Sequence, residues 1–513
     1  MLSTILSGTI YGMTSCLIRV EVDVTQGLPC FQIVGLPGSE VRESKERVKV
    51  ALRNVGIRMP PLCISVNLSP ANLPKNGTLL DLPIAAGILV AMEKIPAKVV
   101  QDTLLLGELG LSGELKPVRG VLPIVRQAAQ EGIRRVLLPK ENAREGALVA
   151  ETESVGLRSM EEVIRCLEAL GKGQNPEPER VDIEELLRAE EEREEPDFSE
   201  VVGQAGARRA AEIAAAGFHH LLLIGPPGAG KTMIAKRIPT ILPPLSLEES
   251  IEISSIYSIS GLLQPENPLQ IRRPFLSPHH TITGQALAGS GRIPMPGVVS
   301  QAHRGVLFLD ELPEFKRETL DILRQPLEDR RVQIARSSGT YTYPADFMLV
   351  GAMNPCPCGY YPNREKCRCS SYEVRRYLNR ISGPILDRMD ICVEAQPMEF
   401  QDLESGKKGE SSAQIRRRIL QARKRQEERF REDGITFNAD MGAGEIGKYC
   451  VLGDREKQFM AQMFESLQLS ARGYHKILKV ARTIADLAGS EQIEEPHLAE
   501  AICYRQLDKK YWE

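Results

Sequence analysis

The sequence predicts an α/β protein made of an N-terminal α+β domain, a P-loop α/β domain with inserted hairpins, and a C-terminal helical lid. Three observations support this fold class. Short β-rich runs alternate with helical patterns in the first third, an apolar strand enters a glycine-rich loop and a helix at 221–242, and helical periodicity dominates after about residue 400. A chain of 513 residues is also too long for a single core.

The composition places the domain boundaries. Residues 171–197 are interrupted by proline at their start and then become strongly acidic, so they offer few apolar side chains to bury. We interpret them as an acidic linker around a short exposed helix. One domain is predicted before the linker and two after it, at 1–170, 198–398 and 399–513.

Within the first domain, strands and helices follow from the period of the apolar residues. The predicted strands are CLIRVEVDV, FQIVG, LCISVNLSP and RRVLLP, and the predicted helices are VRESKERVKVALRNVG and VLPIVRQAAQEG. This mixture is typical of an α/β or α+β module.

Charge and apolar runs limit where the protein acts. With a formal net charge of −3 at pH 7, the chain has no global attraction for nucleic acid, so a polyanion site has to be a local patch. The N-terminus MLSTILSGTI lacks the basic region and cleavage site of a signal peptide, and the apolar run at 79–92 is too short to span a bilayer. We therefore expect a cytoplasmic protein that does not bind membranes. In that compartment the eleven cysteines do not favour a disulfide framework.

The segment LLLIGPPGAGKT at 221–232, followed by a helix, has the pattern of a P-loop. Glycines let successive backbone N–H groups point into one concavity, and the helix N-terminus adds the positive end of its dipole. The pattern predicts that Lys231 contacts the β- and γ-phosphates and that the Thr232 hydroxyl binds Mg²⁺. The predicted nucleotide-binding residues are Gly225, Pro226, Pro227, Gly228, Ala229, Gly230, Lys231 and Thr232.

Two acidic residues follow a second apolar strand in GVLFLDELPEF. Because four apolar residues precede Asp310, the segment is typical of a buried parallel strand with carboxylates at its C-terminal end. We assign Asp310 to Mg²⁺, bound through water, and Glu311 to the orientation and polarisation of the attacking water. An acidic pair that merely caps the next helix is the alternative, and the P-loop upstream makes it the minor one.

A third apolar strand, FMLVGAMNP, ends at Asn354, whose amide suits a hydrogen bond to the γ-phosphate or to the attacking water. Arg380 and Arg388 precede another apolar strand, and Arg472 begins a C-terminal helix. A guanidinium that neutralises charge on the γ-phosphate can come from a neighbouring subunit. For each arginine taken singly, a surface or interdomain salt bridge is the more common role.

Two Cys-x-Cys pairs flank a basic, turn-rich loop in CPCGYYPNREKCRC, at Cys356, Cys358, Cys367 and Cys369. Four thiolates can close a tetrahedral Zn²⁺ site, although this spacing is tighter than the common Cys-x₂-Cys. The basic residues between the pairs would lower the thiol pKa values and favour metal binding or oxidation alike. A zinc site and reduced thiols in a sensor loop both remain open. His279 and His280 have no matching ligand nearby, so we expect them to form hydrogen bonds within a loop.

The segment RRVQIARSSGTYTYPADF, downstream of a long insertion rich in Gly, Pro and Ser at about 240–300, is predicted to form a β-hairpin. Its arginines and tyrosines suit a nucleic-acid backbone and the stacking of bases; they are Arg330, Arg331, Arg336, Tyr341 and Tyr343. Stabilisation of the hairpin and of a subunit interface is an equally supported alternative.

These motifs carry a family resemblance. GPPGAGKT, LFLDE, GAMNP, LDRMD and SARGYHKILKVARTIADL, in that order, resemble the AAA+ ATPases. RRPFLSPHHTIT, ALAGSGRIPMPGVVSQAHRGVLFLDELPEF and NPCPCGYYPN make the chain similar to the ComM/YifB family of magnesium-chelatase-like ATPases over nearly its whole length. NLSPANLPKNGTLLDLPIAAGIL and LLLGELGLSGELKPVRGVLPI look like the Lon-protease fold that also occurs in RadA-type recombination proteins.

The resemblance implies an oligomer, expected to be a hexameric ring, with ATP at the subunit interfaces. It implies that Arg388 is the arginine finger for the neighbouring subunit and that Arg472 is the second sensor, with Arg380 as a rival finger. The resemblance to Lon does not extend to catalysis, because the segment after Lys75 lacks Pro-Ser-Ala-Gly and VRGVLPI lacks the lysine base. We therefore expect a non-proteolytic domain, with a dyad of Ser69 and Lys75 as the much weaker alternative.

The resemblance also implies a function. Inserted elements of this branch of AAA+ proteins project into a central channel, and ComM-type members are implied to drive branch migration during recombination of incoming DNA. The expected cofactors are ATP and Mg²⁺, with Zn²⁺ as the open third, and the expected partner is single-stranded or branched DNA. A metal-insertion motor like magnesium chelatase and a protein-remodelling ATPase are the alternatives; no metal-ion-adhesion domain is evident in support of the first.

Overall fold

The computed structural model describes residues 2–191, 195–291, 293–336, 339–397 and 409–512. It is a mixed α/β structure with a helical C-terminal region, which confirms this part of the predicted fold class. The strands are β1 (Leu2–Tyr11), β2 (Thr14–Gln26), β3 (Cys30–Val34), β4 (Leu62–Ser69), β5 (Thr103–Leu105), β6 (Glu108–Leu109), β7 (Leu115–Lys116), β8 (Arg135–Pro139), β9 (Glu153–Leu157), β10 (Leu221–Ile224), β11 (Phe275–Leu276), β12 (Val306–Leu309), β13 (Arg331–Arg336), β14 (Gly339–Pro344), β15 (Met348–Met353) and β16 (Ile391–Glu394).

Helices connect and cover these strands. They are α1 (Ser39–Asn54), α2 (Asp81–Ala91), α3 (Val121–Gln130), α4 (Ala143–Gly146), α5 (Met160–Gly171), α6 (Ile183–Glu191), α7 (Ala205–Gly217), α8 (Lys231–Ile241), α9 (Leu247–Ser260), α10 (Gly284–Ala288), α11 (Val298–Gln301), α12 (Arg317–Ile322), α13 (Arg324–Asp329), α14 (Ser371–Leu378), α15 (Gly383–Leu386), α16 (Ser412–Arg429), α17 (Ala443–Tyr449), α18 (Asp454–Ser466), α19 (Ala471–Ala488) and α20 (Glu495–Trp512).

The N-terminal part contains a seven-stranded sheet in the order β3-β4-β2-β1-β5-β8-β9. Its longest pairing is antiparallel, between β1 and β2, and it joins Leu2 to Asp23 at one end. The apolar run expected to be too short for a membrane forms α2, a helix buried along its whole length. The one carboxylate in α2, Asp81, accepts two hydrogen bonds from Arg47 at 2.7 and 3.0 Å, because a buried charge needs such a partner.

The P-loop part contains a five-stranded sheet in the order β11-β12-β15-β10-β16, and each strand pair in it is parallel. Successive side chains of a strand point to opposite faces. Leu221 and Leu223 accordingly pack in the same core as the C-terminal helices, whereas Leu222 and Ile224 pack in a second core on the other face. Because all strands run in one direction, the carboxyl ends of β10, β12 and β15 meet at one edge of the sheet.

The C-terminal region is helical, as the sequence predicts. Helix α16 packs against α7 and α8, and α19 packs against α7, so this region covers one face of the P-loop sheet. None of their described residues lines the cavity around Lys231, whereas Lys510 and Tyr511 of α20 line a neighbouring cavity together with residues 225–227 of the P-loop. Their apolar residues belong to the core on one face of the P-loop sheet, and this burial holds them there.

Three further findings concern the sequence-based expectations. The short helix expected in the acidic stretch is α6, while residues 192–194 of that stretch and residues 399–408 of the third predicted domain lie outside the described residues. Cys30 and Cys63 form a disulfide, which the cysteine content did not predict, because the parallel register of β3 and β4 places the two residues side by side. No helix in the described part of the chain has both the length and the apolar character required to cross a bilayer.

Candidate nucleotide-binding site

The P-loop follows β10 and wraps around the start of α8. The Lys231 ammonium lies inside this loop and donates to the carbonyls of Gly225 and Pro226 at 2.7 and 2.9 Å. It also donates to the side-chain oxygen of Asn354 at 3.1 Å. Burial lowers the pKa of Lys231, and the charge of Asp310 opposes that shift. The lysine is therefore held where the ends of β10 and β15 converge.

Glycine is required at two kinds of position in this loop. A side chain at Gly225 would place its Cβ 2.3 Å from the carbonyl oxygen of Ala395, because the loop runs directly beside the end of β16. Gly228 and Gly230 have φ angles of +78° and +77°, in the left-handed region that other residues rarely adopt. The glycines thus let the loop close tightly enough to bring its N–H groups together.

Two oxygen ligands for a cation lie next to the P-loop. The Thr232 hydroxyl donates to the Asp310 carboxylate at 2.8 Å, which places both at the start of α8 and the end of β12. Hydroxyl and carboxylate oxygens are the protein ligands that Mg²⁺ prefers, and its remaining positions are commonly filled by water and phosphate oxygens. The donor set therefore fits the Mg²⁺ ion that the sequence predicted here.

Glu311 has an unusual backbone conformation. Its φ angle is +50°, a value that costs a non-glycine residue some strain, and its N–H donates to Asp310 at 2.9 Å. Its side chain is 61% exposed. This turn lets the two adjacent carboxylates point differently, one toward Thr232 and the other toward the open cavity.

These residues surround one cavity of about 390 Å³. Its lining consists of Pro227, Gly228, Ala229, Gly230, Lys231, Thr232, Met233, Asp310, Glu311, Met353 and Asn354. The size is within the range of small-ligand sites. The structure thus brings together the P-loop, the acidic pair and the strand-end amide from three separate parts of the sequence, while the role of each residue remains a prediction.

Sequence reasoning missed one neighbour of this site. The imidazole Nδ1 of His280 lies 3.7 Å from the carboxylate of Glu311, whereas His279 contacts the Thr281 hydroxyl at 2.9 Å. The expectation of loop hydrogen bonds therefore fits His279, and His280 lies beside the P-loop cavity that Glu311 lines. About thirty positions separate His280 from Glu311. A motif search has no signal for such a pair, since the fold alone brings them together.

The three candidate arginines lie away from the P-loop cavity. Arg380 forms a salt bridge with Glu314 at 2.7 Å. Arg388 pairs with Glu328 and also donates to the Pro384 carbonyl at 2.6 Å. None of the three is among the described residues that line the cavity around Lys231.

Arg388 and Arg472 nevertheless share a second cavity, of about 330 Å³. Lys476 and Asp390 also line it and pair with each other at 3.0 Å. The charge of Lys476 helps to keep the pKa of the Asp390 carboxyl well below its usual range, against the opposing effect of burial. This second cavity therefore combines two arginines with a buried, ionised carboxylate.

The hairpin of β13 and β14 corrects one prediction. Tyr341 and Tyr343 are only 3% and 1% exposed, so they are not available to stack on nucleic-acid bases. The ring of Tyr341 lies 4.4 Å from that of Tyr11 in the N-terminal sheet, and the Tyr343 hydroxyl donates to the Pro294 carbonyl at 2.6 Å. Alternation along the strand explains the error, because both tyrosines point to the buried face. Their role is structural.

The arginines of the hairpin have a different environment. Arg331 and Arg336 are exposed on β13, and Arg336 donates to the Ala335 carbonyl at 3.0 Å. Arg330 precedes the strand and pairs with Asp440 at 2.6 Å. Two of the three predicted arginines thus remain available to a polyanion, and the third holds the hairpin to the C-terminal region.

The cysteine loop joins the end of β15 to α14. The four Sγ atoms of Cys356, Cys358, Cys367 and Cys369 all lie within 4.8 Å of one another. Hydrogen bonds from the Tyr360 backbone and from Cys356 lower the pKa of the Cys358 thiol to about 6, although desolvation opposes the shift. The pKa of Cys369 is raised to about 12, first by desolvation, so the basic loop residues do not lower all four values as expected.

Among the residues that the structure describes, no hydrogen bond joins the side chains of Ser69 and Lys75, the weaker alternative considered for this domain. Lys75 is buried, its ammonium donates to the Pro70 carbonyl, and burial lowers its pKa. Thr78, which follows Lys75-Asn76-Gly77, donates its hydroxyl to the carboxylate of Glu108. The ammonium has a structural partner, which disfavours the Ser69–Lys75 alternative.

Comparison with known proteins covers nearly the whole chain. The family model described as "Magnesium chelatase, subunit ChlI" matches residues 197–403. "Subunit ChlI of Mg-chelatase" matches residues 20–142, and "Magnesium chelatase, subunit ChlI C-terminal" matches residues 409–505.

Individual relatives extend this result. The chain is 42% identical over 509 residues to competence protein ComM from Haemophilus influenzae, a match that covers 99% of this chain and 98% of that protein. It is 41% identical over 500 residues to the uncharacterized protein YifB from Salmonella typhimurium, covering 97% and 96% of the two chains. A shorter match, 29% identical over 175 residues, joins it to Lon protease 2 from Bacillus subtilis and covers 30% and 31% of the two chains.

Proposed function

The chain belongs to the ComM/YifB family of magnesium-chelatase-like ATPases, and from this premise we propose that it is a ring motor that hydrolyses ATP to move DNA during recombination. One observation carries the proposal. Lys231, Thr232, Asp310, Glu311 and Asn354 meet around one cavity at the carboxyl edge of a parallel sheet. This edge is where such sheets bind nucleotides.

The residues around the cavity divide the work of ATP hydrolysis. The P-loop N–H groups and Lys231 bind the phosphates, and Thr232 and Asp310 hold Mg²⁺, which neutralises charge on the phosphate oxygens when it is bound. Glu311 orients and polarises the attacking water, and the amide of Asn354 senses the γ-phosphate. Lys231 donates a hydrogen bond to the side chain of Asn354, so a phosphate that binds one of these side chains also affects the other. The proposed cofactors are therefore ATP and Mg²⁺.

The position of the arginines supports the proposed ring. An arginine at the γ-phosphate would add to the charge neutralisation by Lys231 and Mg²⁺, yet Arg388 and Arg472 lie in the second cavity of their own chain. We propose that this cavity faces the P-loop of a neighbouring subunit, so that Arg388 is the finger and Arg472 the second sensor for that subunit. A closed ring, expected to contain six subunits, satisfies this head-to-tail contact at every site.

The DNA contact is proposed at the exposed side of the hairpin. Arg331 and Arg336 lie on β13, and Arg336 also approaches the Gly291 carbonyl at 3.5 Å, within the inserted segment. Guanidinium groups bind phosphates well and need no base sequence to do so. Such contacts support movement along DNA rather than recognition of a sequence. The relative from H. influenzae is named a competence protein, which agrees with a role in the handling of incoming DNA.

One assay tests the proposal. ATP turnover of the purified chain is measured alone, with single-stranded DNA, with a four-way junction and with a porphyrin, each at two salt concentrations. We expect DNA to stimulate turnover and salt to weaken the stimulation, because phosphate contacts release counterions. Lys231→Ala should abolish turnover in every condition.

The porphyrin arm addresses a second candidate function. The matching family models describe magnesium chelatase subunits, so a metal-insertion motor is a specific alternative. Stimulation by porphyrin and indifference to DNA would favour it over the DNA motor. Turnover that ignores both additions, together with a captured protein client, would favour the remodelling ATPase.

A further inference from the structure

The cysteine loop, residues 356–369, packs directly against the P-loop. Cys356 comes two residues after Asn354, so the loop begins where the γ-phosphate sensor ends. A Cβ on Gly359 would lie 2.4 Å from Cδ of Pro227, which places the loop directly against the P-loop. The ring of Tyr361 lies 6.3 Å from that of Tyr511 in α20. The loop thus contacts the P-loop and the last helix at once.

The sulfur positions define the chemistry. Cys356 lies 3.3 Å from Cys358 and 3.8 Å from Cys367, and Cys358 lies 3.6 Å from Cys367, measured between Sγ atoms. A tetrahedral site with Zn–S bonds of about 2.3 Å separates its sulfurs by roughly 3.8 Å. The distances from Cys367 to Cys356 and to Cys358 match this edge, and the distance between Cys356 and Cys358 is shorter. An iron–sulfur cluster would need its ligand sulfurs farther apart, because several iron atoms stand between them.

The surroundings also suit a bound cation. Two of the four cysteines, Cys356 and Cys367, are buried, and the N–H of Tyr361 points at Cys356 Sγ at 3.4 Å. Backbone N–H groups that donate to sulfur are typical of the groups that orient metal ligands. Four protonated thiols this close together have few hydrogen-bond acceptors for their S–H groups. Four thiolates that bind Zn²⁺ carry no S–H protons and need no such acceptors.

We propose that Cys356, Cys358, Cys367 and Cys369 bind one Zn²⁺ ion, and that the metal holds the loop as a clamp on the P-loop. With the metal bound, Gly359 stays pressed against Pro227 and the start of the loop stays fixed beside Asn354. Loss of the metal releases both contacts and weakens nucleotide binding. The clamp, unlike the zinc site itself, rests on the proposed ATP-binding function.

The zinc site is tested on the full-length chain by elemental analysis. We expect one zinc ion per chain, and uptake of Co²⁺ should give the absorption of a tetrahedral thiolate site. Cys358→Ser and Cys369→Ser should lose the metal, whereas Cys503→Ser, at an exposed cysteine outside the cluster, should retain it. Folded, reduced protein that binds neither Zn²⁺ nor Co²⁺, or that shows iron–sulfur absorption, would overturn the site.

The clamp is tested by binding of a fluorescent ADP analogue to zinc-loaded and zinc-stripped protein, with circular dichroism to confirm that both are folded. We expect several-fold weaker binding after zinc removal. Gly359→Ala should keep its zinc and still bind the analogue more weakly, because the new Cβ pushes against Pro227. Equal affinity with and without zinc would refute the clamp while leaving the zinc site standing. If zinc-loaded protein bound no nucleotide, the proposed function and the clamp would both fall, and the measured zinc would remain.

Discussion

At the scale of single residues, Glu311 combines an unusual backbone conformation with a proposed catalytic role. Its φ angle of +50° is strained for a residue with a side chain, and such strain is common at functional sites. The strain turns its carboxylate away from Asp310 and toward the cavity, where His280 approaches it at 3.7 Å. A general base needs such a separate position, because a carboxylate bound to Mg²⁺ is a weaker base.

Glu311→Gln should bind ATP normally and hydrolyse it about 10²–10⁴-fold more slowly, the usual contribution of a general base. The amide keeps the shape of the carboxylate and loses its ability to polarise water. Turnover and nucleotide affinity are measured on the same preparation. Glu314→Gln is the matched control, since Glu314 pairs with Arg380 and does not line the cavity. Equal losses in both variants would show that the assigned role is wrong.

His220 provides a prediction about pH. Its side chain is partly buried, and desolvation lowers its pKa to about 4, although Asp390 opposes the shift. The unfolded chain, with a histidine pKa near 6.5, binds this proton first, so the native state loses stability as pH falls from about 6.5 to about 4. The loss from this group alone is about 3 kcal/mol of unfolding free energy.

Denaturant unfolding at several pH values measures this effect. His220→Asn keeps an acceptor for the Leu349 N–H that now donates to Nδ1 at 3.1 Å, and it does not titrate. Its stability should therefore fall less between pH 6.5 and 4 than that of the wild type. His279→Asn, at an exposed histidine, should follow the wild-type curve. If the free energy of unfolding fell equally with pH in the wild type and in His220→Asn, the effect assigned to protonation of His220 would be wrong.

The residues around the P-loop show which parts of the candidate site could be predicted from the sequence. Lys231, Asp310 and Asn354 could be placed together in advance, because each follows an apolar strand and parallel strands end at one edge. His280 could not, since its position depends on the path of a long insertion between β10 and β12. The sequence also did not reveal that Arg380 and Arg388 pair with acidic residues of their own chain. It does not show which surface of a subunit meets the next one.

At the scale of elements, the β13–β14 hairpin joins two parts of the chain. Tyr341 packs against Tyr11 at 4.4 Å between ring centroids. A Cβ at Gly339 would lie 1.9 Å from the Tyr11 hydroxyl, so glycine is needed for this contact. The hairpin itself was predicted from its turn residues, whereas the face that Tyr341 buries depends on a partner domain that the local sequence does not contain.

The two faces of the hairpin should respond differently to mutation. Tyr341→Ala should lower the free energy of unfolding by about 3–5 kcal/mol, because it leaves a cavity between buried rings. Arg336→Ala should leave stability unchanged and reduce the stimulation of ATP turnover by DNA. Tyr341→Phe is the control for the first change, because it preserves the ring. Thermal unfolding and DNA-dependent turnover are measured on all three.

A Tyr341→Ala protein that stayed as stable as the wild type would contradict the burial on which this distinction depends. An Arg336→Ala protein with full DNA stimulation would move the proposed contact to another surface. The comparison also separates the hairpin's two roles, since a change confined to stability cannot mimic a change confined to the DNA response.

At the scale of the whole molecule, the N-terminal part is built onto the ATPase part. Glu145 is buried and accepts a hydrogen bond from the Leu122 N–H at 2.9 Å, and the Ser258 hydroxyl of α9 donates to the same carboxylate. The N–H of Gly120 donates to the Ser258 carbonyl at 3.2 Å. Leu269, beyond α9, completes the N-terminal core. Movements of α9 during the ATPase cycle would therefore reach the N-terminal sheet directly.

The sequence predicted the separate parts of the chain but not the contacts between them. Composition separated a β-rich beginning from a helical end, because each has its own apolar period. The contact between the parts includes polar pairs such as Glu145 and Ser258, which are far apart in sequence and carry no motif. The amphipathic helices of the C-terminal region likewise reveal that they pack, but do not reveal on which face of the sheet.

A ring can be tested by mixing two inactive proteins. Lys231→Ala removes the phosphate-binding lysine, and Arg388→Ala removes the proposed finger, so each variant alone should be inactive. If the finger acts on the next subunit, a mixed ring contains interfaces in which an intact P-loop meets an intact Arg388. Random mixing in equal amounts makes about one quarter of the interfaces complete, so about that fraction of wild-type turnover should return.

The matched control is a mixture of Lys231→Ala with Glu311→Gln, because both of these residues serve the same cavity. If Glu311 acts on the nucleotide of its own subunit, no cavity in that mixture is complete, because every subunit carries one of the two changes, and turnover should stay low. Replacing Arg388→Ala by Arg380→Ala or Arg472→Ala identifies which arginine crosses the interface, because only a residue that acts on the neighbour can be complemented. Absence of recovery with all three arginine variants would mean that the second cavity does not meet a neighbouring P-loop, and the proposed ring contact would have to be abandoned.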